Sequence, residues 1–236
     1  MALAIVQNQV ALPLGLPQAV PVPVQGAGVH QYVKKVFFDA NVKKHDDVNC
    51  FKGLPISTGV KNIAEAANGL GINGSANFIA FCGHGGPGVQ GLGSNRNYEY
   101  TRGRDFCVDE LNDVATEITT LHNFLVPGPV VAGQPAPVVF LAGCNVGEGS
   151  DGRKLLKQLS ARMPNVLVVA SEDKLSYKKD KTTVKISKLV KEKPSHFPID
   201  FRFALNGANV SLANLQNLTG HDASRLEQEL TEYSVF

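Results

Sequence analysis

Three short stretches of the chain are apolar without polar alternation: Asn77-Phe-Ile-Ala-Phe-Cys82, Val138-Val-Phe-Leu-Ala142 and Val166-Leu-Val-Val-Ala170. Between the first two, apolar residues at 108, 111, 114, 118, 121 and 125 keep a helical period and predict a helix over Val108 to Leu125. Between the last two, Leu155, Leu156 and Leu159 predict a second helix from about Asp151 to Arg162. Strands with no polar face must be buried on both sides, so the pattern predicts an α/β fold: a mostly parallel sheet flanked by helices on both faces. Earlier in the chain, Val33 to Ala40 reads as a strand. Val60 to Leu70 reads as a helix capped by Ser57 or Thr58 and closed by glycines. Later, Phe197 to Leu205 reads as a strand and Ala223 to Tyr233 as a helix.

Residues 1–30 break this texture. They hold Pro13, Pro17, Pro21 and Pro23 and no charged side chain, which predicts an extended N-terminal arm or prosegment followed by a single domain over 31–236. A length of 236 residues with 43% hydrophobic content suffices for one sizeable core. The arm has no basic n-region, its prolines break a membrane helix, and no other segment reaches the apolar length of a span. The chain therefore reads as soluble and cytoplasmic where made, with export by a route without a cleaved signal left open. Twenty-three basic against 21 acidic residues give a net charge of +2, too small to make a nucleic-acid footprint. Four cysteines at 50, 82, 107 and 144 form no C-x-x-C pair and no zinc-type spacing with the histidines, so neither a disulfide framework nor a structural metal is expected.

In parallel sheets the loops leaving the carboxyl ends of strands emerge at one edge. That brings together Cys82-Gly83-His84-Gly85-Gly86-Pro87-Gly88 and Gly143-Cys144-Asn145-Val146-Gly147-Glu148-Gly149, although His84 and Cys144 are 60 positions apart. A thiolate is a nucleophile and a nearby imidazole can activate it or protonate a leaving amine. The glycines let backbone N–H groups point into the space between the loops, as an oxyanion hole requires. Cys82, at the end of a buried run, reads as core packing. His30, His45, His122, His196 and His221 read as surface or capping residues.

The order strand-His-Gly then strand-Gly-Cys resembles the caspase, gingipain and clostripain clan of cysteine peptidases, most closely the caspase-like domains of large bacterial surface and toxin proteins. The likeness covers about Asn77 to Asp173 and rests on the two loops above with Leu92-Gly93 and Val169-Ala170-Ser171. It implies a caspase-like domain and a cysteine endopeptidase acting on a peptide or protein substrate without cofactor or metal. Cys144 would attack the carbonyl, His84 would protonate the amine, and the N–H groups of Gly85 and Cys144 would hold the oxyanion. No third side chain is implied; Asn145, the nearest, reads as a turn residue. Glu172 and Asp173 follow the third strand, where the clan builds part of its specificity pocket, so they imply a preference for Lys or Arg. The arginines of an aspartate pocket have no counterpart; Arg96, Arg102 and Arg104 are only nearby.

Three alternatives stay open at this level. A caspase-like module can keep the fold as a latent or inactive binding scaffold. The same nucleophile also serves transpeptidation or self-release. Gly83-x-Gly85-x-x-Gly88 formally matches a dinucleotide fingerprint, but Pro87, Gly91 and Gly93 oppose the helix that should follow. The eight lysines from Lys174 to Lys193 read as a solvated helix and loop, a surface for an acidic partner, or a loop cut during self-processing.

Overall fold

A computed structural model of the chain describes residues 31–41, 46–73, 75–93, 105–128 and 134–234. The arm 1–30, His30, His45, Arg96, Arg102 and Arg104 lie outside the described residues. The first half runs β1 (Lys34–Asp39), α1 (Asp46–Asn49), β2 (Ser57–Val60), α2 (Ile63–Asn68), β3 (Phe78–Cys82), β4 (Gly85–Gly86), β5 (Val89–Gln90), β6 (Phe106–Cys107) and α3 (Ala115–Leu125). The second half runs β7 (Val138–Leu141), α4 (Gly149–Arg162), β8 (Leu167–Ser171), β9 (Leu175–Asp180), β10 (Thr183–Val190), β11 (Lys193–Pro194), β12 (Phe201–Leu205), β13 (Ala208–Val210), α5 (Leu215–Thr219), α6 (Ala223–Thr231) and β14 (Glu232–Ser234).

The chain is mixed α/β, built on a seven-stranded sheet in the order β13-β12-β8-β7-β3-β1-β2. β2, β1, β3, β7 and β8 are mutually parallel, while β12 and β13 add antiparallel strands at one edge. Every residue of β3, β7 and β8 is buried, which explains their lack of polar alternation. Successive residues feed opposite faces. Ile79, Phe81, Val139, Leu141 and Val168 pack with Ile63 of α2, Ile118 and Leu121 of α3, and Leu155 and Leu159 of α4. Phe78, Ala80, Cys82, Val138, Phe140 and Val169 face the other way.

That second face differs from the expected layer of helices. It is covered by Leu226 and Leu230 of α6 and Leu215 of α5, and also by a hairpin, β9–β10, that supplies Leu175, Tyr177, Val184 and Ile186. The lysine-rich segment is thus a β-hairpin, not a helix and loop: its apolar residues alternate inward while Lys178, Lys179 and Lys185 stay exposed. Three other expectations are corrected. Ser57 and Thr58 lie in β2, and α2 is capped by Asn62, whose side chain accepts from the N–H of Glu65 at 2.8 Å. The helix expected from Val108 begins at Ala115, and residues 108–114 form turns that still bury Val108, Leu111 and Val114. His221 is buried, not at the surface: Nδ1 is 2.7 Å from the Tyr32 hydroxyl and Nε2 is 2.7 Å from the Ala136 carbonyl. No helix among the described residues is long and apolar enough to cross a membrane.

Candidate active site

The sheet register determines where His84 and Cys144 emerge. Phe81 of β3 pairs with Leu141 of β7, and the ladder continues with the N–H of Ala142 donating to the carbonyl of Phe81 at 2.8 Å. His84 and Cys144 each follow three positions after that matched pair. They leave the same edge of two adjacent strands, and both are half-buried.

The first loop is built by its glycines. The proline ring holds Pro87 at negative φ and Gly88 adopts φ +74°, the order of signs of a type II turn between β4 and β5. The N–H of Gly91 donates to the carbonyl of His84 at 2.8 Å, so the inner pair Gly85–Gln90 is the non-hydrogen-bonded kind and the Gly85 N–H points away from β5. Gly83-x-Gly85-x-x-Gly88 therefore opens a hairpin, not a helix N-terminus, and a dinucleotide phosphate has no helix end to sit on there.

The second loop packs directly on the first. A Cβ on Gly85 would stand 2.6 Å from Val146 Cγ2 and 2.9 Å from the Cys144 carbonyl oxygen. One on Gly143 would stand 2.9 Å from Gly85 Cα. The N–H of Gly88 donates to the Val146 carbonyl at 3.1 Å. Beneath them lies Gln90, fully buried, whose Oε1 accepts from the N–H of Gly143 at 2.7 Å and whose Nε2 donates to the carbonyl of Gly91 at 3.0 Å. Nothing in the sequence marks this residue.

Beyond Cys144 the loop is tied to the strand that follows. Asn145 adopts a left-handed φ of +60°, which Asn tolerates, and its N–H donates to the Asp173 carbonyl at 2.9 Å; it is a turn residue. The N–H of Gly147 donates to the Ser171 carbonyl at 2.7 Å. Cys144 Sγ accepts from the N–H of Leu175 at 3.3 Å and lies 3.7 Å from the carbonyl of the same residue. None of the four cysteines is in a disulfide. Cys82 belongs to the core, and burial pushes its thiol well above the ordinary value.

Glu172 and Asp173 flank this site, and both carry cationic partners. Glu172 is ion-paired with Arg202. Asp173 pairs with Lys188 at 2.9 Å, and Lys188 also meets Asp200 at 3.0 Å; hydrogen bonds to these two carboxylates raise the lysine pKa. Glu172 and Arg202 line an open cavity of about 460 Å³ with Ile199, Phe201, Val210 and Leu212. Comparison of the chain with protein-family models, with curated proteins and with solved structures yields no match.

Proposed function

We propose that the chain is a cysteine endopeptidase of caspase-like architecture in which Cys144 and His84 form the dyad. The observation that carries the proposal is the register: His84 and Cys144 follow Phe81 and Leu141, a matched pair on adjacent parallel strands, by the same number of residues. Two glycine-rich loops in van der Waals contact at that edge supply the close backbone approach that acyl transfer needs.

In this reading the Cys144 thiolate attacks the scissile carbonyl carbon, forming the C–S bond as the carbonyl electrons move to oxygen. The N–H groups of Gly85 and Cys144 stabilise that oxyanion. Collapse breaks the C–N bond while the His84 imidazolium gives its proton to the departing amine. Water, deprotonated by the neutral His84, then hydrolyses the thioester and regenerates the thiol. No cofactor or metal enters a step, and the substrate is a peptide or protein segment. Selection of Lys or Arg by Glu172 and Asp173 would rest on displacing their present partners, and the exposed turn of the β9–β10 hairpin is a candidate for self-cleavage.

The test is cleavage of an unbiased peptide library and of the chain itself by the wild type, Cys144→Ala and His84→Ala. Products and self-nicking that vanish in both variants support the proposal; products retained in Cys144→Ala remove it.

One contact favours a second reading, a latent module. Leu175 places both its N–H and its carbonyl against the sulfur, so the root of the β9–β10 hairpin occupies space beside the nucleophile. A substrate would then require that hairpin to shift.

A further inference from the structure

We infer that Gln90 is a positioning residue that holds the His84 loop and the Cys144 loop in register. The inference rests on the dyad proposed above and adds to it a residue that makes neither nucleophile nor acid.

Gln90 is the only polar side chain of the short hairpin β4–β5, and none of it reaches solvent. Its two ends serve different loops. On one side Oε1 takes the N–H of Gly143, the residue immediately before Cys144. On the other, Nε2 donates to the carbonyl of Gly91, whose own N–H donates to the carbonyl of His84. The amide thus forms a relay with one residue between it and each member of the dyad. Its orientation is unambiguous, because a main-chain N–H can only donate and a carbonyl can only accept. Burial makes the relay stiff: releasing either bond would strand a polar group away from water.

Steric fit supports the same role. A Cβ on Gly143 would come within 2.9 Å of Gln90 Oε1 as well as of Gly85 Cα, so the amide, the hairpin and the Cys144 loop meet with no spare space. No apolar residue of similar length can reproduce the bonds, and no charged side chain can both accept and donate here, whereas a neutral carboxylic acid can. Glutamic acid in its protonated form accepts from Gly143 and donates to Gly91. As a carboxylate it confronts the Gly91 carbonyl with a second acceptor.

The experiment compares the wild type with Gln90→Met and Gln90→Glu. The readouts are the second-order rate of Cys144 alkylation by iodoacetamide across pH and the exchange protection of the Gly143 amide by NMR, with His84→Ala marking the His84-dependent part of the profile. The expected result is a loss of about ten- to a hundredfold in that part for Gln90→Met in a chain that still folds. Gln90→Glu should recover the rate relative to wild type at low pH and lose it as its buried carboxyl ionises, a pH signature that loss of packing alone would not produce. A His84-dependent profile unchanged in Gln90→Met overturns the inference and leaves the dyad standing. If the wild type has no His84-dependent profile, the dyad fails, and Gly143 decides the rest: protection lost in Gln90→Met supports Gln90 as the link between the loops, and protection retained overturns it.

Discussion

The main-chain N–H of Leu175 donates to the sulfur of Cys144 across 3.3 Å. The donated N–H stabilises negative charge on sulfur, while the Leu175 carbonyl, 3.7 Å away, accepts from the thiol, so the root of the hairpin that covers one face of the sheet meets the sulfur through both groups. Leu175 opens β9, where proline can be accommodated. Leu175→Pro, which deletes the donor, should slow alkylation of Cys144 at neutral pH by about tenfold, the equivalent of one hydrogen bond to a charged group. Leu175→Val, which keeps the N–H, should stay within about twofold of the wild type. Equal rates in all three would show that the contact does not act on the sulfur.

Loop contact should be visible in glycine substitutions. Gly85→Ala puts a methyl against Val146 and the Cys144 carbonyl, and is expected to cost about 1–3 kcal/mol of stability together with the reactivity of Cys144. Gly86→Ala meets nothing within 4 Å and should change stability by less than about 0.5 kcal/mol. Urea unfolding and alkylation of the two variants make the comparison; matching losses would mean that the two loops are not packed as described.

Alkaline pH should destabilise the fold through groups buried on the second face of the sheet. Burial raises the pKa of Cys82 well above 9.0 and those of Tyr177 and Tyr233 well above 10.0. The unfolded chain ionises at the ordinary values while the fold keeps these groups protonated. Their stabilisation is therefore complete at neutral pH and falls as pH rises above about 9, at up to about 1.4 kcal/mol per pH unit for each group. Tyr177→Phe or Tyr233→Phe should flatten that decline in urea midpoints between pH 8 and 11. A midpoint independent of pH in the wild type would contradict this assignment.

Ion pairs beside the site should govern charge preference. Arg202→Ala removes the ion partner of Glu172, which lines the 460 Å³ cavity, and Lys188→Met removes the cation shared by Asp173 and Asp200. If a substrate side chain enters there, each change should raise kcat/KM for Lys or Arg peptides relative to neutral ones by several-fold, as expected for a newly unpaired carboxylate near the surface. An unchanged ratio in both variants would move the specificity pocket elsewhere.

What was legible in the sequence follows from how local each signal is. Phe78 to Cys82, Val138 to Leu141 and Leu167 to Ser171 advertise burial residue by residue, so the parallel core and the meeting of the His84 and Cys144 loops could be read directly. The β9–β10 hairpin was hidden because Lys178, Lys179 and Lys185 interrupt the apolar alternation of Leu175, Tyr177, Val184 and Ile186, and a run of lysines looks solvated whichever element carries it. Asn62, Ser57 and Thr58 are all good caps by residue type, and only pairing with Val36 and Phe37 puts the latter two in a strand and leaves the cap to Asn62. Gln90 gave no signal at all: its importance comes from a partner 53 residues away, and a lone polar residue between valine and glycine has no pattern.

Whether Cys144 is a nucleophile assisted by His84 is tested most directly by intact-protein and peptide mass spectrometry after brief, limiting exposure to an electrophilic acyl-type peptidase inhibitor, for the wild type, Cys144→Ala and His84→Ala. A working dyad gives a single adduct on Cys144, absent in Cys144→Ala and much reduced in His84→Ala, with Cys82 unlabelled. Even labelling of the accessible cysteines, indifferent to His84, would contradict it.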